Sequence, residues 1–206
     1  MTVIARELVE IARSFYTWQV YDPAVKADLF STALALRQHL FLVDPVYLES
    51  TQLARLQKRG TVSGIIVTNT NHHRAATWYS EHFAAPILAR SDTFPQDKPE
   101  RFAPVRGQTR IANELEVIEL EGAVAGELAL YHAADGGTLI VGDALINFEP
   151  YGFTLLPRKY CRNEKEMRRS LRKLLDREVQ RIFFAHGMPI LSGAGAHLRQ
   201  LFGPNA

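Results

Sequence analysis

The chain has 206 residues, 47% hydrophobic and 22% charged, an ordinary composition for a globular protein with enough apolar side chain to build a core. A formal net charge of +2 gives no reason to expect nucleic acid or an anionic membrane as partner, and the single Cys161 excludes an internal disulfide and any cysteine-built metal cluster. Without an apolar run of spanning length or a secretory core behind Met1, the expected location is the cytoplasm.

Residues 2–20 carry two patterns at once: Val3, Ile4, Leu8 and Ile11 suit one face of a helix, whereas Tyr16, Trp18 and Val20 alternate as in a strand. A turn is expected at Tyr21-Asp22-Pro23. Residues 28–36 and 39–43 read as two strands of a hairpin that ends at Asp44-Pro45. Positions 50–58 have helical spacing, with Leu53 and Leu56 inward and Gly60 as the stop. A β-branched run at 64–67 predicts a short buried strand, and helical spacing resumes over 75–83, where Ala76, Tyr79 and Phe83 share a face. Residues 86–89 suit a short strand. Positions 91–107 carry Pro95, Pro99 and Pro104 and predict a long loop, either a lid or binding loop or a surface excursion without a role.

Strands are predicted at 117–120, 127–131 and 138–141, the last two joined by the hairpin signal Asp135-Gly136-Gly137. Asn163 and Glu166 form a capping pair for a helix to about Val179, with Met167, Leu171, Leu174 and Leu175 inward. Its outer face holds Arg168, Arg169, Arg172, Lys173 and Arg177, most simply a solvated charged face. A last buried strand over 181–185 and a terminal helix over 194–202 complete the chain. With no internal repeat, low-complexity tract or linker, residues 1–206 read as a single domain.

The polar stretch behind the 64–67 strand reads T-N-T-N-H-H-R over residues 68–74, at a strand end where ligand chemistry collects in α/β proteins. It resembles the turn T-H-x-H-x-D-H of the metallo-β-lactamase superfamily. Leu139-Ile140-Val141-Gly142-Asp143 resembles that family's strand ending in G-D, and Ala185-His186-Gly187 its strand ending in H-G. The stretch 121–126, E-G-A-V-A-G, aligns with the family's P-G-H-T-x-G turn. These motifs and the elements between them follow the family's order. The resemblance implies an α/β (α+β) fold, a four-layer αβ/βα sandwich of two mixed sheets face to face with helices outside.

It also implies a pocket at Asn69, Asn71, His73, Arg74, Ala123, Asp143 and His186. Asn69, Asn71 and Ala123 stand where the first metal's ligands would be, and none is a strong donor. His73, Asp143 and His186 leave a set for one metal, against which Arg74 brings a fixed positive charge. In this register Arg74 is expected to pair with Asp143 in place of the ion. His72 and His73 are adjacent and should point different ways, one of them only packing. Asp44 resembles the acid with which the family orients a ligand.

Two functions follow. One is a metal-free relative, without a cofactor, that binds a small molecule or a partner protein. The other is a hydrolase using a single Zn or Fe/Mn ion at His73, Asp143 and His186. Nucleic-acid processing on the same fold has only the basic helix in its favour, and a membrane role has nothing.

Overall fold

The structure is a computed structural model that describes residues 3–202; positions 1–2 and 203–206, the ends of the expected domain and the first residue of the ambiguous stretch, lie outside the described residues. One sheet has seven strands in the order Val9–Ala12, Phe15–Asp22, Ala27–Leu36, His39–Val43, Thr61–Ile66, Ile87–Ala89 and Phe102–Pro104. The first four pair antiparallel and the last four parallel. The other has five strands in the order Arg110–Ile111, Leu115–Glu119, Leu128–His132, Thr138–Val141 and Arg181–Phe184, only the last pair parallel. A parallel pair joins Ile4–Ala5 to Tyr47–Leu48, and an antiparallel hairpin joins Leu145–Phe148 to Gly152–Leu155.

The layers follow from alternation within apolar strands, since successive side chains leave a strand on opposite faces. In His39–Val43, Leu40 and Leu42 pack towards helices α1 (Ser50–Gln57) and α2 (Ala76–Phe83), with Leu53, Leu56 and Tyr79. Phe41 and Val43 turn instead to the second sheet and meet Leu128, Leu130, Ile140 and Phe183. In the second sheet Leu139, Val141, Ile182 and Phe184 face outward onto α3 (Glu164–Leu171) and α4 (Ala194–Phe202), through Met167, Leu171, Leu198 and Phe202. Helix, sheet, sheet and helix are thereby stacked, the four layers that the motif order predicts. Truncating a fully buried leucine such as Leu40 should cost about 2–5 kcal/mol.

Several local expectations change. The N-terminal stretch forms strands, so the alternation of Tyr16, Trp18 and Val20 outweighs the helical spacing before it. The loop at 91–107 contains a 3-10 turn at Ser91–Thr93 and the edge strand Phe102–Pro104, which tolerates Pro104 because an edge leaves one side of the ladder unpaired. The hairpin at 145–155 has no counterpart in the sequence reading. Helix α3 stops at Leu171 and continues as a 3-10 turn through Asp176. The Asn163 side chain does accept from the Glu166 amide, but the Asn163 amide donates to Gly122 O rather than to Glu166, so half of the capping box forms. On α3 the exposed Arg168 and Arg169 are paired with Glu164 and Glu166.

Candidate metal centre

Four parallel strands end at one edge of the sandwich, and each delivers a polar residue there. His39–Val43 leads into Asp44, Thr61–Ile66 into Thr68, Thr138–Val141 into Asp143 and Arg181–Phe184 into His186. Two backbone bonds tie the sheets together beside them, Leu128 N to Thr68 O and Phe30 N to Ala185 O.

Asp44 sits at φ +47°, outside the range that most residues favour, and both of its carboxylate oxygens are used. Oδ1 accepts from Thr68 N at 2.8 Å and Oδ2 from Thr68 Oγ1 at 2.6 Å. Oδ2 also lies 2.9 Å from His72 Nδ1. An Nδ1–H held by a carboxylate leaves Nε2 free, and His72 aims that atom at Asp143 Oδ1, 3.2 Å away. His186 reaches the same oxygen with its own Nε2 at 3.3 Å, while its Nδ1 faces the backbone oxygen of Asp28. The two Nε2 atoms are 3.3 Å apart.

His72, Asp143 and His186 therefore form a triangle of donor atoms, and the structure separates them from His73. His73 Nε2 contacts Thr93 O at 3.0 Å, and its ring stacks on Phe94 with centroids 4.2 Å apart. The adjacent histidines do point different ways, but it is His73 that packs, anchoring the 91–107 segment, and His72 that faces Asp143. The motif register missed this because it left position 72 open. Asp44, 28 residues earlier, identifies His72 as its partner only once the fold brings the two together.

Arg74 also differs from its expected role. Its guanidinium donates to the backbone oxygens of Phe30, Asp44 and Ala185, and among the described residues no ion pair between Arg74 and Asp143 is formed. With φ at +39°, the backbone turns its side chain to clamp strand ends from both sheets. Ala123, at a ligand position of the resemblance, is fully buried in the apolar cluster beneath α3. Asn69 and Asn71 do reach the site, each donating from Nδ2 to Asp143 Oδ2 at 3.2 Å. Sequence reasoning missed Glu127 altogether: fully buried, it accepts from Asn69 Nδ2 at 2.7 Å and from Ala144 N at 2.9 Å.

The electrostatics follow from burial against neighbouring charge. Burial pulls the His72 pKa down, but the carboxylates of Asp143 and Asp44 together outweigh it and raise the value to about 9. His186 is lowered to about 4 by burial and by the positive charge of His72. Burial opposes ionisation of Asp143 and Asp44 as well, yet the imidazolium of His72 holds both below the usual carboxylate range. Glu127 is pushed up to about 8 by burial and the charge of Asp143.

The donor set fits a divalent ion. Ligands about 2.0–2.1 Å from a tetrahedral centre lie about 3.3 Å from one another, and the three donor atoms are separated by 3.2, 3.3 and 3.3 Å. Each imidazole has an acceptor on its far nitrogen, as metal-bound histidines have. Above the triangle opens a cavity of about 980 Å³, walled by Val25, Leu29, Val46 and Ile146, with Lys26 and Lys159 among its charged residues.

Fold and site define a class, and the comparisons agree with it. The family described as the metallo-beta-lactamase superfamily matches residues 10–203, and the chain belongs to it. Similar solved structures include DIM-1 metallo-beta-lactamase, at 13% identity and a TM-score of 0.75 over 100% of this chain and 99% of that one. Another is the metallo-beta-lactamase family protein TTHA1429 from Thermus thermophilus, at 19% identity and a TM-score of 0.69 over 95% and 80%. A beta-lactamase domain protein from Burkholderia ambifaria aligns at 16% identity and a TM-score of 0.67 over 94% and 74%. At such identities the likeness concerns the fold. No curated protein matches. Among the described residues no helix is long and apolar enough to cross a membrane.

Proposed function

We propose that the protein is a hydrolase that works with one divalent metal ion held by His72, Asp143 and His186. The observation that carries this reading is the triangle of donor atoms, with edges of 3.2–3.3 Å and both imidazoles fixed from behind. A divalent ion at such a place supplies Lewis-acid polarisation and a water-derived nucleophile at neutral pH. The chain's own residues do the rest. Asp44 and the Asp28 carbonyl keep both Nε2 lone pairs aimed at one point, and Asn71, exposed at the cavity floor, has an amide N–H left over for a substrate oxygen. Apolar walls with Lys26 and Lys159, offset in part by Asp22, suit an organic anion with an apolar body.

The metal-free binding protein is the second reading, favoured by one observation. With His72 protonated, Asp44 and Asp143 ionised, Arg74 positive, and Glu127 and His186 neutral, the buried charges cancel without an ion. A proton on His72 Nε2 would then sit where the metal would.

Elemental analysis of protein purified without chelator, followed by thermal unfolding with added Zn, Mn or Fe(II), decides between them. The hydrolase reading expects one equivalent per chain and a metal-dependent rise in Tm. Metal-free protein that no ion stabilises would establish the second reading.

A further inference from the structure

Two of the polar residues beside the triangle are spent on each other. Every polar atom of the Asn69 amide is engaged: Nδ2 donates to Glu127 Oε2 and to Asp143 Oδ2, and Oδ1 accepts from Asn71 N at 2.8 Å. Glu127 follows the turn 121–126, where the family resemblance would place a ligand, yet its carboxylate is turned inward and closed off by Asn69 and the Ala144 amide. The brace is packed against the backbone that carries Asp143. A Cβ at Gly142 would come within 2.5 Å of Thr68 Oγ1, 2.8 Å of Glu127 Oε1 and 3.0 Å of Asn69 Nδ2.

This arrangement dictates how Asp143 is presented. Its Oδ2 receives N–H groups from Asn69 and Asn71, so Oδ1 is the oxygen left for the two imidazoles. Glu127 makes the shortest of the three hydrogen bonds that hold Asn69 in that orientation, and a carboxylate there accepts only from the Nδ2 end of a carboxamide whose two ends are nearly alike in shape. The same engagement removes Asn69 as a donor to any second cation.

We propose that Glu127 is the positioning residue of the site: through Asn69 it aims Asp143 Oδ1 at His72 and His186 and fills, with protein, the ground on which a second ion's ligands would converge. The inference rests on the one-metal reading above. It assigns Glu127 no contact with substrate or ion, and it makes single occupancy a property of the brace rather than of missing histidines alone.

Cobalt(II) titration of the metal-free protein tests it, read by equivalents bound, dissociation constant and visible absorption, which reports ligand number and geometry. In Glu127→Gln the amide group must turn an N–H towards one of the two donors, so one arm of the brace opens with little change in volume. The variant should bind cobalt about 10–100-fold more weakly than wild type, with an altered absorption spectrum. Asn69→Ala should do the same. His73→Ala, which loses a stack and a hydrogen bond outside the triangle, controls for general destabilisation and should keep both the affinity and the spectrum of wild type. Wild-type affinity and spectrum in Glu127→Gln would overturn the positioning role alone, whereas two equivalents in the wild type would overturn both single occupancy and the one-metal reading above. No cobalt uptake by wild type would overturn the hydrolase reading and this one with it.

Discussion

His72 and His186, 114 residues apart in the chain, bring their Nε2 atoms to 3.3 Å from each other at the rim of the sandwich. Each arrives from the end of a parallel strand, one in each sheet, and each is braced from behind by an acceptor. Substitutions can separate this pair from the histidine beside it. His72→Ala should lower metal affinity by at least about 100-fold, since one of three donors is lost. His73→Ala should leave affinity within a few-fold and cost about 1–2 kcal/mol of stability, from its ring stack and hydrogen bond. Elemental analysis and thermal unfolding of both variants check this, and the reverse ranking would restore His73 as the ligand.

Arg74→Ala gives a different signature. Removing the guanidinium leaves the carbonyls of Phe30, Asp44 and Ala185 without their charged donor, a loss of about 2–4 kcal/mol. For a chain of this size that is a drop in Tm on the order of 6–12 °C. The drop should be the same with and without metal, because the side chain braces strands rather than standing in for the ion. A loss confined to the metal-free protein would instead support an Arg74–Asp143 substitute.

Much of the fold was legible because its motifs fall at strand ends and its core strands are apolar on both faces. The hairpin of Ala27–Leu36 with His39–Val43, the capped α3 and the G-D and H-G strands all declare themselves locally. The site was legible only in part. Asp143 and His186 stand alone in their motifs, so nothing competes for their places. In the 68–74 turn, side-chain direction depends on a backbone with positive φ at Arg74, which spacing does not encode, and His72 and His73 exchange roles. Glu127 was invisible because a lone acid beginning a strand looks solvent-facing until the second sheet covers it.

Stability of the metal-free protein should fall as pH rises from 6 to 9. His72 holds its proton to about pH 9 in the folded state against 6.5 in the unfolded chain, so its contribution is complete below pH 6.5 and lost as pH rises through 9. The span from 6.5 to about 9 corresponds to at most about 3 kcal/mol. Glu127 acts in the same direction, since the unfolded chain releases that proton near pH 4.5 and the folded protein near 8. On the acid side, His186 is neutral in the fold, and its contribution is lost as pH falls from 6.5 through 4. A flat profile of Tm between pH 6 and 9 would show that the His72 imidazolium is not held as described.

Asp44→Asn tests the brace behind His72. The carboxamide can serve Thr68 but no longer offers a charge to the imidazole, so metal affinity should fall about 10–100-fold. The alkaline loss of stability should begin at lower pH, because a main support of the raised His72 pKa is gone. Unchanged cobalt affinity in this variant would count against the assignment of Asp44.

The triangle also has a mechanical meaning. His72 belongs to the half of the chain that builds the seven-stranded sheet, Asp143 and His186 to the half that builds the other, and nearby the sheets are joined by Leu128 N to Thr68 O and Phe30 N to Ala185 O. An ion held by all three side chains would be a rivet through both leaves of the sandwich. With it in place the leaves would no longer breathe apart independently, and the amides of Leu128 and Phe30 should exchange with solvent only when the whole molecule opens.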